Sequence, residues 1–281
     1  MQPRYHEIER SNWRSIDVES RVLTAKSLLS AEERKFLFYL AREYFSGSGS
    51  IIDAGAFLGG STLALAKGLS KNSRQIQSLP RIHSYDQFIV SPALQDFLRT
   101  YFRINKEIGS SFRYEFNKQI EECESRLVVH EGDILEETWS NSPIEILFID
   151  VCKSRAINSH VVKQFFGSLI PGVTLIVHQD YHHPYHTWIH VTMEYLSDFF
   201  EIIEQKIDGS MVFGLRKSIS QPRLDQCVAY AFSADEQISL MDAAIDPHRC
   251  APAGTTDSKT KTPACQAADQ GGVLWGSRLA V

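Results

Sequence analysis

The sequence predicts an α/β protein built on a doubly wound, mostly parallel sheet, with a C-terminal antiparallel hairpin strand and helices on both faces. Three observations predict it. Short β-branched, apolar runs alternate with helix-forming segments, the pattern of parallel strands joined by crossover helices. The first run, Ile51-Ile52-Asp53, opens into the glycine-rich turn Gly55-Ala56-Phe57-Leu58-Gly59-Gly60 and then into Leu63-Ala64-Leu65-Ala66-Lys67. Four runs end at or near an acid, namely Asp53, Asp86, Asp150 and Asp180. In open α/β sheets ligands bind beyond the carboxyl ends of the strands.

Residues 1–29 are polar, of mixed charge, and read as a helical or irregular lead-in. Ser30 and Glu33 have the spacing of a capping box, and Phe36, Leu37, Leu40 and Tyr44 recur at helical spacing behind it. Ser46 to Ser50 turns into the first strand. Arg81 to Asp86 reads as the second strand. Residues 91–125 are polar and aromatic, longer than a usual crossover, and read as an insertion facing a ligand. Leu127 to His130 is a short third strand, followed by Gly132-Asp133. Ile144 to Asp150 is the clearest buried strand. A helix is expected over 154–166, a strand over 173–180 and a helix over 188–200. Phe200–Ile207 and Ser210–Leu215 flank Asp208-Gly209, the signature of a two-residue hairpin turn. The main domain is expected over 30–220 and one amphipathic helix over 226–245. The Ala-, Pro- and Thr-rich sequence of 247–281 reads as a disordered tail.

Composition bounds the function. The chain has 281 residues, 34 acidic against 29 basic side chains, and a net charge of -5. That balance argues against a nucleic-acid-binding stripe. No apolar run reaches the roughly 20 residues of a membrane span, and the first residues lack the apolar core of a secretory signal. The five cysteines are widely spaced, with no CxxC pair, which fits reduced thiols in a cytoplasmic protein.

The loop after the first strand lacks the Gly-Lys-Ser/Thr end of a P-loop and the GxGxxG of a dinucleotide fingerprint. Asp53-Ala-Gly55-Ala-Phe57-Leu-Gly59, read with Asp86, Gly132-Asp133 and Asp150, resembles the class I S-adenosylmethionine-dependent methyltransferases. The resemblance spans roughly residues 30–217 and implies a Rossmann-like sheet. It implies cofactor contacts from Asp53, Gly55, Phe57, Gly59 and Ser61 at the methionine end, Asp86 at the ribose and Asp133 at the adenine. Ile149-Asp150-Val-Cys-Lys153 with His178-Gln179-Asp180-Tyr181 is similar to the branch containing macrocin O-methyltransferase. That likeness implies a sugar or other small-molecule hydroxyl as acceptor, association into a homo-oligomer, and a divalent cation such as Mg2+ on Asp150, Asp180 and Gln179. Where the branch often has a second acid this chain has Gln179, a neutral oxygen that weakens a hard-cation site.

Five of the ten histidines fall between His178 and His190. Removing a proton from an acceptor hydroxyl suits an imidazole, so His182, His186 and Asp150 are the catalytic candidates. Lys153 and Arg155 are candidates for an anionic partner. Two other readings stay open. Two imidazoles with Asp180 could ligate zinc or iron in a hydrolase or oxygenase, or the fold could be a non-catalytic cofactor-binding module.

Overall fold

The computed structural model describes residues 2–74 and 81–245. Its helices are α1 (His6–Glu9), α2 (Ser20–Leu23), α3 (Ala31–Tyr39), α4 (Gly60–Ser70), α5 (Pro92–Phe102), α6 (Arg113–Ile120), α7 (Arg155–Phe165), α8 (Thr187–Tyr195), α9 (Gln221–Ala229) and α10 (Ala234–Ile245). Its strands are β1 (Ser50–Ala54), β2 (Ile82–Asp86), β3 (Leu127–Glu131), β4 (Ile144–Ile149), β5 (Leu175–His178), β6 (Phe200–Ile207) and β7 (Ser210–Leu215). They form one sheet in the order β3-β2-β1-β4-β5-β7-β6. The first five strands run parallel and β7 pairs antiparallel with β5 and β6. The doubly wound sheet with a reversed closing hairpin is the expected one.

The two-residue period of the strands sorts the core into two layers. Ile146 and Phe148 of β4, with Leu175 and Val177 of β5, face the layer containing α3, α4 and α6. Leu147, Ile149 and Ile176 face the layer containing α7 and α8. The Ser30 capping box holds, with Glu33 N–H donating to Ser30 Oγ at 3.1 Å and Ser30 N–H to Glu33 Oε2 at 2.8 Å. After α3 the chain runs through a π-helical turn, Leu40–Tyr44. Residues 91–125 fold as α5, α6 and a 3-10 turn, and their Phe102 and Phe112 set ring edges against Phe57 of the β1 loop.

The lead-in is part of the core. Tyr5, Ile8, Trp13 and Val22 are all buried in the α3–α4 layer. Tyr5 lies over Gly214 of β7, where a Cβ would stand 2.6 Å from its ring. Arg4 donates to Glu145 at 2.8 Å, and the same buried carboxylate accepts from the backbone of Ser46 and Ser48. These contacts tie down the amino ends of the strands.

One correction concerns the segment after β7. The single helix expected over 226–245 is two helices, α9 and α10. Tyr230 is left-handed at φ 49° and stops α9. Ser233 then caps the next helix, with its Oγ accepting from Glu236 N–H and its own N–H donating to Glu236 Oε2. Leu224 and Cys227 of α9 are buried in the α7–α8 layer. Cys123, Cys152 and Cys227 are free and buried. Cys250, Cys265 and the expected tail lie outside the described residues.

Candidate active site

The connections from β1 and β4 leave the sheet to opposite sides, so these neighbouring parallel strands form its switch point. Two loops converge there. Gly55 has φ 103°, and a Cβ on it would lie 2.5 Å from the Asp150 carbonyl oxygen. Only glycine tolerates both that dihedral and that approach. Asp150 N–H in turn donates to the Ala54 carbonyl at 2.7 Å. The β1 loop is also tied to β2, for Gly55 and Ala56 N–H both donate to the Tyr85 carbonyl.

Asp86 closes this loop from the end of β2. Its Oδ2 accepts from Phe57 N–H at 2.8 Å and its Oδ1 from Phe88 N–H at 2.7 Å. Burial lifts its carboxyl above the usual range, and these two backbone donors pull it back. Each oxygen keeps a second lone pair, so the carboxylate can still accept from a ligand hydroxyl. Gly59 precedes α4 at φ 91°, and no side chain caps that helix. Its first-turn N–H groups and dipole therefore suit an anion such as a carboxylate.

Asp53 and Ser61, expected to contact a cofactor, point into the core instead. Asp53 is fully buried, and its Oδ2 accepts from Thr62 Oγ at 2.5 Å and Ser84 Oγ at 3.4 Å. Ser61 is buried beside it, and Asp53 Oδ1 is buried without a hydrogen-bond partner. Burial pushes Asp53 up to about 6 against the pull of these hydroxyls. Both residues brace the loop from below. Asp133 is exposed beyond β3 and caps a short 3-10 turn, accepting from Leu135 N–H at 3.0 Å.

The acids after β4 and β5 do meet, with a lysine between them. Lys153 Nζ donates to Asp150 Oδ1 at 2.7 Å and to Asp180 Oδ2. Burial pushes Asp150 up to about 6, opposed by that ammonium. Burial also acts on Asp180, but there the ammonium wins and holds the carboxyl below its usual range. Gln179 turns elsewhere. A Cβ on Gly209, in the β6–β7 turn, would lie 3.4 Å from Gln179 Nε2, and Gln179 Oε1 is buried without a hydrogen-bond partner. A divalent cation needs oxygen donors at about 2.0–2.6 Å and prefers several carboxylates. Here two carboxylates already hold an ammonium and the third donor is neutral. The expected metal set of Asp150, Asp180 and Gln179 does not fit such an ion. Among the described residues, no three of His, Cys, Asp and Glu are grouped to hold a metal.

The histidine segment divides. His186 Nδ1 lies 3.6 Å from Asp180 Oδ2, is buried, and has no hydrogen-bond partner. Its ring stacks between His183 and Trp188. Burial pushes His186 down to about 4, although Asp180 pulls the other way, so the imidazole is neutral at physiological pH. His182 is exposed, and its Nε2 lies 2.9 Å from the Gln205 carbonyl of β6. His178 is buried at the end of β5, with Nδ1 3.1 Å from the Gln179 carbonyl. Arg155 lies over the Tyr230 ring rather than beside the acids.

Sequence reasoning missed the burial of Glu33. It serves the α3 cap, yet its Oε1 also accepts from Ser210 Oγ at 2.7 Å and lies beside Gly209. Burial pushes it up to about 7.

No family model matches the chain, and no curated protein matches it. Among solved structures, the O-methyltransferase NovP has a TM-score of 0.52 at 12% identity, over 75% of this chain and 88% of that one. The calicheamicin methyltransferase CalS11 follows at 0.47 and 12%, over 77% of this chain and 92% of that one. The Podospora anserina methyltransferase PaMTH1, in its SAH-bound form, gives 0.44 and 12%, over 75% and 93%. With its strand order, its reversed β7 and the NovP superposition, the chain adopts the class I methyltransferase fold.

Proposed function

We propose that this protein is an S-adenosylmethionine-dependent O-methyltransferase acting on a hydroxyl of a small molecule, a sugar being the first candidate. One observation carries the reading: the β1 loop, the uncapped start of α4 and the Asp86 carboxylate converge at the switch point beside Asp150. That set supplies an anion-binding helix start for an amino-acid carboxylate and an acid for a pair of ribose hydroxyls. Gly55, Phe57 and Gly59 shape the loop around the methionine end, with Asp53 and Ser61 bracing it. Asp133 stands two strands along, on the adenine side.

When bound, the sulfonium supplies the methyl group: the acceptor oxygen's electron pair forms the new O–C bond as the C–S electrons return to sulfur. The chain has to orient the acceptor and accept its proton. His186 is a neutral imidazole with an unpartnered nitrogen, positioned beside Asp180. We assign the hydroxyl proton to its Nε2, because Nδ1 is buried against Asp180, which stabilises the resulting imidazolium. His182, bonded toward β6, is assigned a peripheral role.

The test is calorimetric. The wild-type protein is expected to bind S-adenosylmethionine or its demethylated product with micromolar affinity, and Asp86→Ala to lose at least about tenfold, the equivalent of roughly 1.4 kcal/mol or more for hydrogen bonds to a charged acceptor. Failure of the wild type to bind either form would end this reading.

A further inference from the structure

We propose that Lys153 is the resident cation of the acceptor site, replacing the divalent ion that the likeness to the metal-assisted branch attaches to Asp150 and Asp180. The acceptor's identity rests on the methyltransferase reading above. The replacement of a metal by the lysine rests on the geometry of the three side chains alone.

The loop holds the ammonium in place from both sides. Lys153 N–H donates to the Val151 carbonyl at 2.7 Å, a tight turn just after β4. The next residue, Ser154, caps α7 by accepting from Ile157 N–H at 3.3 Å. Asp180 sits in the left-handed region at φ 63° in the turn after β5, and its carboxylate meets the lysine there. The ammonium thus bridges the ends of two adjacent parallel strands, β4 and β5.

Two departures point the same way. Beside Asp180 stands the neutral Gln179, where the resembling branch often has a second acid, and a cation already sits between the two carboxylates. Two carboxylates and one ammonium leave a net charge of -1, too little to attract a dication that would also have to lie against a like charge. An ammonium has three N–H donors. Asp150 and Asp180 take two. That leaves one N–H of the ammonium for a ligand oxygen. That N–H holds the acceptor oxygen and stabilises its negative charge as the proton passes to His186.

The experiment titrates Mn2+ into the full chain and reads free ion by electron paramagnetic resonance. The wild type is expected to leave Mn2+ free up to about 10⁻³ M, the weak end of carboxylate sites. Lys153→Ala, with Lys153→Met as a second variant, is expected to take up a single Mn2+ per chain. That uptake disappears when Asp180→Asn is added. Lys153→Arg, which keeps the charge, is expected to stay metal-free. Stoichiometric Mn2+ on the wild type, lost in Asp180→Asn, would overturn the proposal. So would folded alanine and methionine variants that both bind none. Circular dichroism melting of the same preparations reports whether each variant is folded, and S-adenosylmethionine calorimetry reports cofactor binding separately. If the wild type binds no cofactor, the methyltransferase reading falls and the Mn2+ result still judges the lysine.

Discussion

Glu33 is a carboxyl with two structural roles whose ionisation works against the fold. It completes the cap of α3 and accepts from Ser210, yet burial raises it from 4.5 to about 7. Between those values the folded protein binds a proton that the unfolded chain has released, so stability falls as pH rises through the window. The full penalty, about 3 kcal/mol, is present above pH 7 and absent below about 4.5. Glutamine preserves the cap, since Gln also serves at that position of a capping box. Glu33→Gln is therefore expected to gain up to about 3 kcal/mol relative to the wild type between pH 5 and pH 8. Urea denaturation at the two pH values measures it, and parallel behaviour of the two proteins would sink the argument. The cap was legible in the sequence because its partners are three residues apart. The burial was not, because Ser210 is 177 residues away. Lys153 follows the same rule. Its spacing from Asp150 can be read from the chain, but Asp180 joins them only through β4–β5 pairing.

At the scale of elements, α3 and α4 meet at Gly68. A Cβ there would lie 2.3 Å from the Phe38 carbonyl oxygen and 3.0 Å from the Ala41 Cβ. Alanine normally improves a helix interior by up to about 1 kcal/mol. Here the obstacle is backbone, which cannot rotate away, so overpacking wins. Gly68→Ala is expected to destabilise the protein by about 1–3 kcal/mol, read as a lower urea midpoint at unchanged slope. The strands and the helices between them were legible from apolar runs and caps. The break between α9 and α10 carries the same signature, since Ser233 and Glu236 repeat the spacing of Ser30 and Glu33. The apolar spacing of 226–245 runs through Tyr230, and the left-handed turn there carries no glycine to mark it.

At the scale of the molecule, one edge of the sheet carries the candidate site and the other is closed by the chain before β1. The carboxyl ends carry Asp86, Asp150, Asp180 and His186. The amino ends are closed by the Arg4–Glu145 pair and the chain before β1. The boundaries 30 and 220 enclose every strand among the described residues, yet Tyr5, Trp13, Val22, Leu224 and Cys227 lie beyond them and are buried. Each fully buried apolar side chain contributes roughly 1.5–3 kcal/mol, comparable in sum to the whole stability of a typical domain. A chain trimmed to 30–220 is expected to lose its cooperative thermal transition, while one ending at 245 keeps it. Circular dichroism melting distinguishes the two.

The contact of Tyr5 with Gly214 also imposes an order in time. The ring of Tyr5 covers a strand position synthesised 209 residues after it, counting from 5 to 214. At ribosomal speeds of about 5–20 residues per second, that segment waits roughly 10–40 s for its partner. An exposed Tyr5, Ile8 and Trp13 must remain uncommitted through that interval. The earliest part of the lead-in to leave the ribosome is among the last to find its place, and until then nascent chains carry an apolar strip that a chaperone can recognise.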